Sequence, residues 1–142
     1  MLCVDKYAID YVDACRPRFT ILVSAFEALS STVGTTDSRQ RMAMAAFEPH
    51  VFNNMLVALD AHFVNRASLT VQKEGNSLDE VRMLVTSIMS NDGVLTGDAN
   101  IPHDPATSVL KLKIGDTIAL DVSAFSELAA AFLAEITTRY VN

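Results

Sequence analysis

The chain has 142 residues, half of them hydrophobic, and a formal net charge of −6. This composition excludes intrinsic disorder, and no apolar run nears the roughly 18 residues that a membrane span needs. The acidic surplus is spread along the chain with no basic stretch, which argues against nucleic-acid binding driven by counterion release. The length fits one domain over residues 1–142, since domains commonly run to about 100–200 residues. Met1 to Lys6 shows no basic region followed by an apolar one, so no secretion signal is expected. Cys3 and Cys15 are too few for a disulfide framework and lack metal-ligand spacing, so reduced structural thiols are expected. These features together predict a cytoplasmic protein that does not enter the membrane.

In chain order, Ala8, Val12, Cys15, Phe19, Leu22, Phe26, Leu29 and Val33 recur at alternating spacings of four and three. That apolar seam predicts a long helix from about residue 5 to about residue 30. Pro17 falls inside it, where it removes a donor and meets the Asp13 carbonyl, so a kink or two collinear helices are expected. Ser30 to Thr36, with Gly34, predicts a loop. Residues 37–69 are helical again. Phe52, Leu56, Leu59 and Phe63 make a buried face, and Asn54, Ala58, Ala61 and Asn65 form a second stripe small enough for another helix to approach. Pro49 is expected to divide this segment into a short helix over about 38–47 and a longer one over about 49–68.

Lys73 to Asn76 predicts a loop, and Ser77-Leu78-Asp79-Glu80 a capping box, with Ser77 as cap and Glu80 reaching back to the Ser77 N–H. Val81, Leu84, Val85 and Ile88 are the core face of the helix that follows, and Gly93 suits a left-handed C-cap. Residues 91–108 are irregular, and a loop of that length is functional or mobile. Leu110, Leu112, Ile114, Ile118 and Leu120 alternate around Gly115-Asp116, predicting a short β-hairpin with Gly115 at the first central turn position. Asp121 is the expected N-cap of a last helix carrying Phe125, Leu128, Ala129, Phe132, Leu133, Ile136 and Tyr140 on one stripe. The fold class is therefore mostly α, a four-main-helix bundle with a small β-hairpin inserted before the C-terminal helix.

Few residues offer chemistry. Glu48, His50, Asn53 and Asn54 straddle a helix start, with Asp60, His62 and Arg66 beyond them, and could form a polar pocket or serve as caps and surface polarity. His50 and His62 are twelve residues apart, about 120° around one helix, so they do not aim at a shared metal. Asp92, Asp98, Asn100, His103 and Asp104 lack the ligand offsets of a calcium loop. Gly93 and Gly97 lack the Lys-Ser/Thr of a phosphate loop. No nucleophile elbow is present. Arg82 lies on the flank of its helix's core face, where it would pair with Asp60 or Glu48, or contact an anion.

The order of elements over roughly residues 50–140 resembles the HEPN superfamily of helical bundles. The resemblance rests on the helix ending Ser87-Ile88-Met89-Ser90-Asn91-Asp92-Gly93, the variable loop, the Leu112 to Leu120 segment with its Gly-Asp turn, and the closing amphipathic helix. In that superfamily an Arg and a following His on this helix act across a dimer as a metal-independent ribonuclease site. Here the His position best matches Ser90, with Val85 and Thr86 near the Arg position. Counted from Arg82, the allowed His positions hold Ser87, Ile88 and Met89. Asn91 is half a turn away from Arg82 around the helix. The resemblance therefore implies a degenerate, non-catalytic member.

The expected function is a non-catalytic helical interaction module of HEPN-like type that self-associates as a homodimer and meets a protein partner of unspecified kind. One alternative is a ribonuclease rebuilt around Arg82, His50 or Asn54. Another is a small-ligand pocket near Asn53, Asn54 and Arg82. The candidate binding residues are Arg82, His50, Asn53, Asn54 and Asn91, and no catalytic residue, cofactor or metal is expected.

Overall fold

The computed structural model describes residues 6–34, 36–64 and 76–141. Four helices follow in order: α1 (Ile9–Ser31), α2 (Ser38–Ala61), α3 (Ser77–Ser90) and α4 (Val122–Tyr140). Helices α2, α3 and α4 pack on one another, and α1 lies against α2 and α4. The calls on Cys3, Asn65, Arg66 and the Lys73–Gly75 loop fall outside the described residues.

Apolar periodicity locates the core. All seven residues of the α4 stripe are buried, as are Phe52, Leu56 and Leu59 from α2, Phe63 just beyond it, and Val81, Leu84 and Val85 from α3. Each such aliphatic or aromatic side chain contributes about 1.5–3 kcal/mol by leaving water. Aromatic rings run in two connected groups. Phe26 meets Phe52 edge-on at 4.9 Å and Phe52 meets Phe125 at 5.6 Å. Phe63 meets Phe132 at 5.8 Å and Tyr7 edge-on at 5.0 Å. The chain ends are clasped together: the Tyr7 N–H donates to the Tyr140 carbonyl, and Tyr7 pairs with Val141 in a parallel bridge.

Neither proline breaks its helix. Pro17 and Pro49 both lie inside continuous helices, so the expected division of α2 at Pro49 is not found, and α2 ends at Ala61. Buried Cys15 and Phe19 flank Pro17, and the Phe47 contact with Phe26 and the buried Phe52 flank Pro49. Such packing outweighs one lost backbone bond and its local clash. The cap of α3 also differs from expectation. Asn76, not Ser77, is the N-cap, accepting from the Asp79 N–H at 3.0 Å, while the Ser77 hydroxyl donates across to the Ala131 carbonyl. The Asp121 cap of α4 stands, its carboxylate accepting from the Ala124 N–H at 2.7 Å. The small-residue stripe of α2 is not a helix contact, since Asn54, Ala58 and Ala61 are exposed.

The expected β-hairpin is absent: the described residues contain no strand, only isolated bridges. Lys113 to Asp116 does turn, through the Asp116 N–H to the Lys113 carbonyl and the Lys113 N–H to the Asp116 carboxylate. Gly115, at φ +97°, is the second central residue of that turn, where a positive φ favours glycine. A two-residue hairpin would need the first position instead. Backbone pairing goes elsewhere: the Leu95 N–H donates to the Asp116 carbonyl, and the N–H groups of Gly115 and Ile118 donate to the carbonyls of Leu95 and Gly93. The alternation of residues 110–120 therefore reflects burial against helices, not pairing between two arms.

The whole stretch from Asn91 to Asp121 is held by helix side chains. Glu80, itself buried, accepts from the Val109 N–H at 2.7 Å with one carboxylate oxygen and from the Leu110 N–H at 3.0 Å with the other. Asn53 donates to the Ile118 carbonyl at 2.8 Å and accepts from the Leu120 N–H at 3.1 Å. Glu48 accepts from the Val122 N–H, and the fully buried Ser87 hydroxyl accepts from the Thr96 N–H. A segment without regular structure still needs partners for its backbone groups when covered, and these side chains supply them.

Replacing Glu80 by Ala strands two covered N–H groups, so the expected loss in urea denaturation is about 2–4 kcal/mol. Hydrogen exchange should show Val109 and Leu110 losing protection ahead of α4. An unchanged exchange rate at these two amides would contradict the clamp.

Candidate functional site

The residues expected to form a polar pocket serve the fold instead. Asn53 grips the backbone on both sides of Ala119. Asn54 donates to the His50 carbonyl one turn back, within α2, and both residues are exposed. Asn91 donates to the Val94 carbonyl and shapes the turn that ends α3, where Asp92 and Gly93 both take positive φ. Gly93 thus occupies the left-handed position expected of it.

Arg82 pairs with Asp60, Nε to Oδ2 at 3.7 Å, and Asp60 is nearly buried with 6% of its side chain exposed. Of the two partners considered for Arg82, Asp60 is the one that pairs and Glu48 is spent on the Val122 N–H. Arg82 is thereby turned toward a carboxylate on the neighbouring helix, which lowers its value as an anion contact.

The three histidines do not converge. His62 donates from Nδ1 to the Ala58 carbonyl at 2.7 Å, which leaves Nε2 to accept from Arg18 at 3.4 Å. The His62 ring also packs edge-on against Phe19 at 5.5 Å. His103 donates from Nε2 to the Leu112 carbonyl at 2.6 Å. Asp98 and Asp104 each accept a backbone N–H two residues on, forming local turns. Among the described residues, no three His, Cys, Asp or Glu side chains converge as a metal centre requires.

Ser87, one of the positions where the superfamily would place its histidine, is fully buried and stitched to Met83 and Thr96. An imidazole there would point into the core. Ser90, the other matching position, is the exposed last residue of α3.

Two clefts remain. One, of about 360 Å³, lies between the start of α3 and the irregular segment, lined by Asn76, Glu80, Met83, His103, Asp104 and Ser108 among others. Another, of about 380 Å³, runs between α1 and α4 and is lined by Phe19, Val23, Glu27, Phe125, Ala129 and Leu133 among others. Neither is lined by Asn53, Asn54 or Arg82. In the first cleft the available hydroxyls are committed: Ser77 donates to Ala131, Thr107 to Asp104, and Ser108 to Pro105.

The roles of Glu80, Glu48 and Ser87 escaped the sequence reading. One signal for two of them was available. Ser77, Glu80, Leu84 and Ser87 share a face of α3 with the core, and a polar residue on a core face must find a partner.

What the described surface does offer is apolar. Ile21, Leu22, Leu29, Met42 and Phe47 are all exposed, from the second half of α1 and the first half of α2. Phe26 packs on Phe47 at 6.4 Å, and Leu22 and Leu29 lie four and three residues from Phe26 on the same helix. Leu22, Leu29 and Phe47 therefore lie along the α1–α2 seam. No helix among the described residues is long and apolar enough to cross a membrane. The chain matches no family model, no curated protein and no solved structure.

Cys15 is buried, and that burial pushes its thiol above the ordinary value of 9.0, against the smaller lowering effects of Arg18 and Arg16. A raised value keeps the thiol neutral in the folded chain while the unfolded chain ionises first. Its contribution to stability is present below the ordinary value and is lost as pH rises through the folded one. Denaturation midpoints should fall more steeply above pH 9 in the wild type than in Cys15→Ala. Identical slopes for the two proteins would remove the assignment.

Proposed function

We propose that the chain is a non-catalytic helical interaction module, of HEPN-like type, that self-associates. The observation that carries this is the commitment of Arg82, Asn53, Asn54 and Asn91 to the fold. Arg82 is paired with Asp60, Asn53 and Asn54 bind backbone, and Asn91 closes a turn. General acid–base chemistry needs groups within reach of a reacting atom, and no such pair is assembled from these residues. The exposed apolar side chains of α1 and α2 are the feature left without an internal use, and clustered apolar surface marks association sites.

The HEPN-like element of this reading rests on the helical bundle with a long segment inserted before its last helix. The turn at Gly115-Asp116 is retained, although its backbone pairs with residues 93–95. The absence of a usable His near Arg82 supports the non-catalytic form.

Light scattering on the purified chain is expected to give twice the 15.4 kDa chain mass, falling toward the monomer on dilution. RNA incubated with the same protein should stay intact, with or without added divalent metal. A strict monomer at all concentrations removes self-association, and RNA cleavage that disappears in Arg82→Ala replaces this reading with the ribonuclease one.

A further inference from the structure

The contact between Glu80 and residues 109–110 has a donor half that other groups hold in shape. Two successive amides, those of Val109 and Leu110, converge on one carboxylate, each on its own oxygen, at 2.7 and 3.0 Å. Successive backbone N–H groups in a turn are a recurring way of binding an anion. The Lys111 N–H donates to the Ser108 hydroxyl at 2.9 Å, and Lys111 takes the left-handed conformation at φ +56°. His103 donates to the Leu112 carbonyl at 2.6 Å, and the Asp116 carboxylate accepts from the Lys113 N–H at 2.8 Å. None of these bonds involves Glu80.

Glu80 brings a carboxylate and little else to this place. No Lys, Arg or His among the described residues pairs with it, so its charge is met by backbone amides alone. Bonds from an amide to a carboxylate are charge-assisted and need no cation beside them. Beyond Cβ the side chain consists of one methylene and the carboxylate, the heavy atoms of acetate. Truncation to alanine therefore leaves a void of acetate's size, facing two donors that are costly to leave unpaired. Glu80, Ser108 and Val109 all line the cleft of about 360 Å³, which gives a small ion a way in from solvent.

We propose that the turn at residues 108–111 is a binding site for small aliphatic carboxylates, occupied in this chain by its own Glu80. The glutamate is a tethered ligand, and its presence closes the site to carboxylates from outside. Removing that side chain opens the site to a free carboxylate of acetate's size. A net charge of −6 gives no general attraction to anions, so recognition falls to the two amides. The site is separate from the self-association proposed above and stands or falls without it.

The test is urea unfolding of the full chain at neutral pH, in sodium acetate and in sodium chloride of equal ionic strength. The wild type is compared with Glu80→Ala and Glu80→Gln. For Glu80→Ala the midpoint should rise with acetate and then saturate, and exchange at the Val109 and Leu110 amides should slow about tenfold. Glutamine fills the void, so Glu80→Gln and the wild type should respond to the two salts alike. A Glu80→Ala midpoint that is the same in acetate and chloride overturns the site. So does an acetate gain shared by all three proteins, which is a bulk salt effect. If Glu80→Ala does not fold unaided, the titration is run in sucrose, which favours the compact state. A variant folded in this way, whose two amides exchange no more slowly in acetate, overturns the site as well.

Discussion

The fold depends on polar side chains that reach from helices into a stretch of chain with no regular structure. Between Asn91 and Asp121 the backbone has neither a helix nor a sheet to satisfy its N–H and C=O groups. Glu80, Asn53 and Ser87 provide part of that satisfaction from α3 and α2, and Glu48 takes the first N–H of α4 just after it. A carboxylate taking two amides is a charge-assisted arrangement, stronger than a neutral pair. Because the anchoring groups are themselves mostly covered, helix packing and segment conformation reinforce each other. Leu95, Ile118 and Leu120 complete the same core that the helices build.

That arrangement consumes the chemistry. A protein of this size with three histidines has a small stock of groups for catalysis, and here two of the histidines hold carbonyl oxygens. The asparagine nearest to a pocket role is a backbone clamp, and the arginine nearest to an anion-binding role faces an aspartate. The surface that remains is apolar and sits on the two longest helices.

The helices were legible because burial imprints a period on the sequence. The α4 stripe, the Asp121 cap and the Phe52 to Phe63 face could all be read from spacing. The hairpin was misread because alternation records which side chains are buried and not which backbone is paired. Ile118 and Leu120 alternate inward, yet their backbone groups are taken by Gly93 and Asn53. The clamps were illegible for a related reason. Glu80 meets residues 109 and 110, and Asn53 meets residues 118 and 120. Contacts between such distant points leave no local pattern. Pro49 misled because its cost is local while the packing that overrides it is not.

The clasp between Tyr7 and Val141 fixes where the two ends of the described chain sit. From that clasp α1 runs for 23 residues, about 35 Å at 1.5 Å per residue. The α1–α2 turn is therefore at one pole and both ends are at the other. Anything joined at either end would stand about one helix length from that turn, free of the apolar seam.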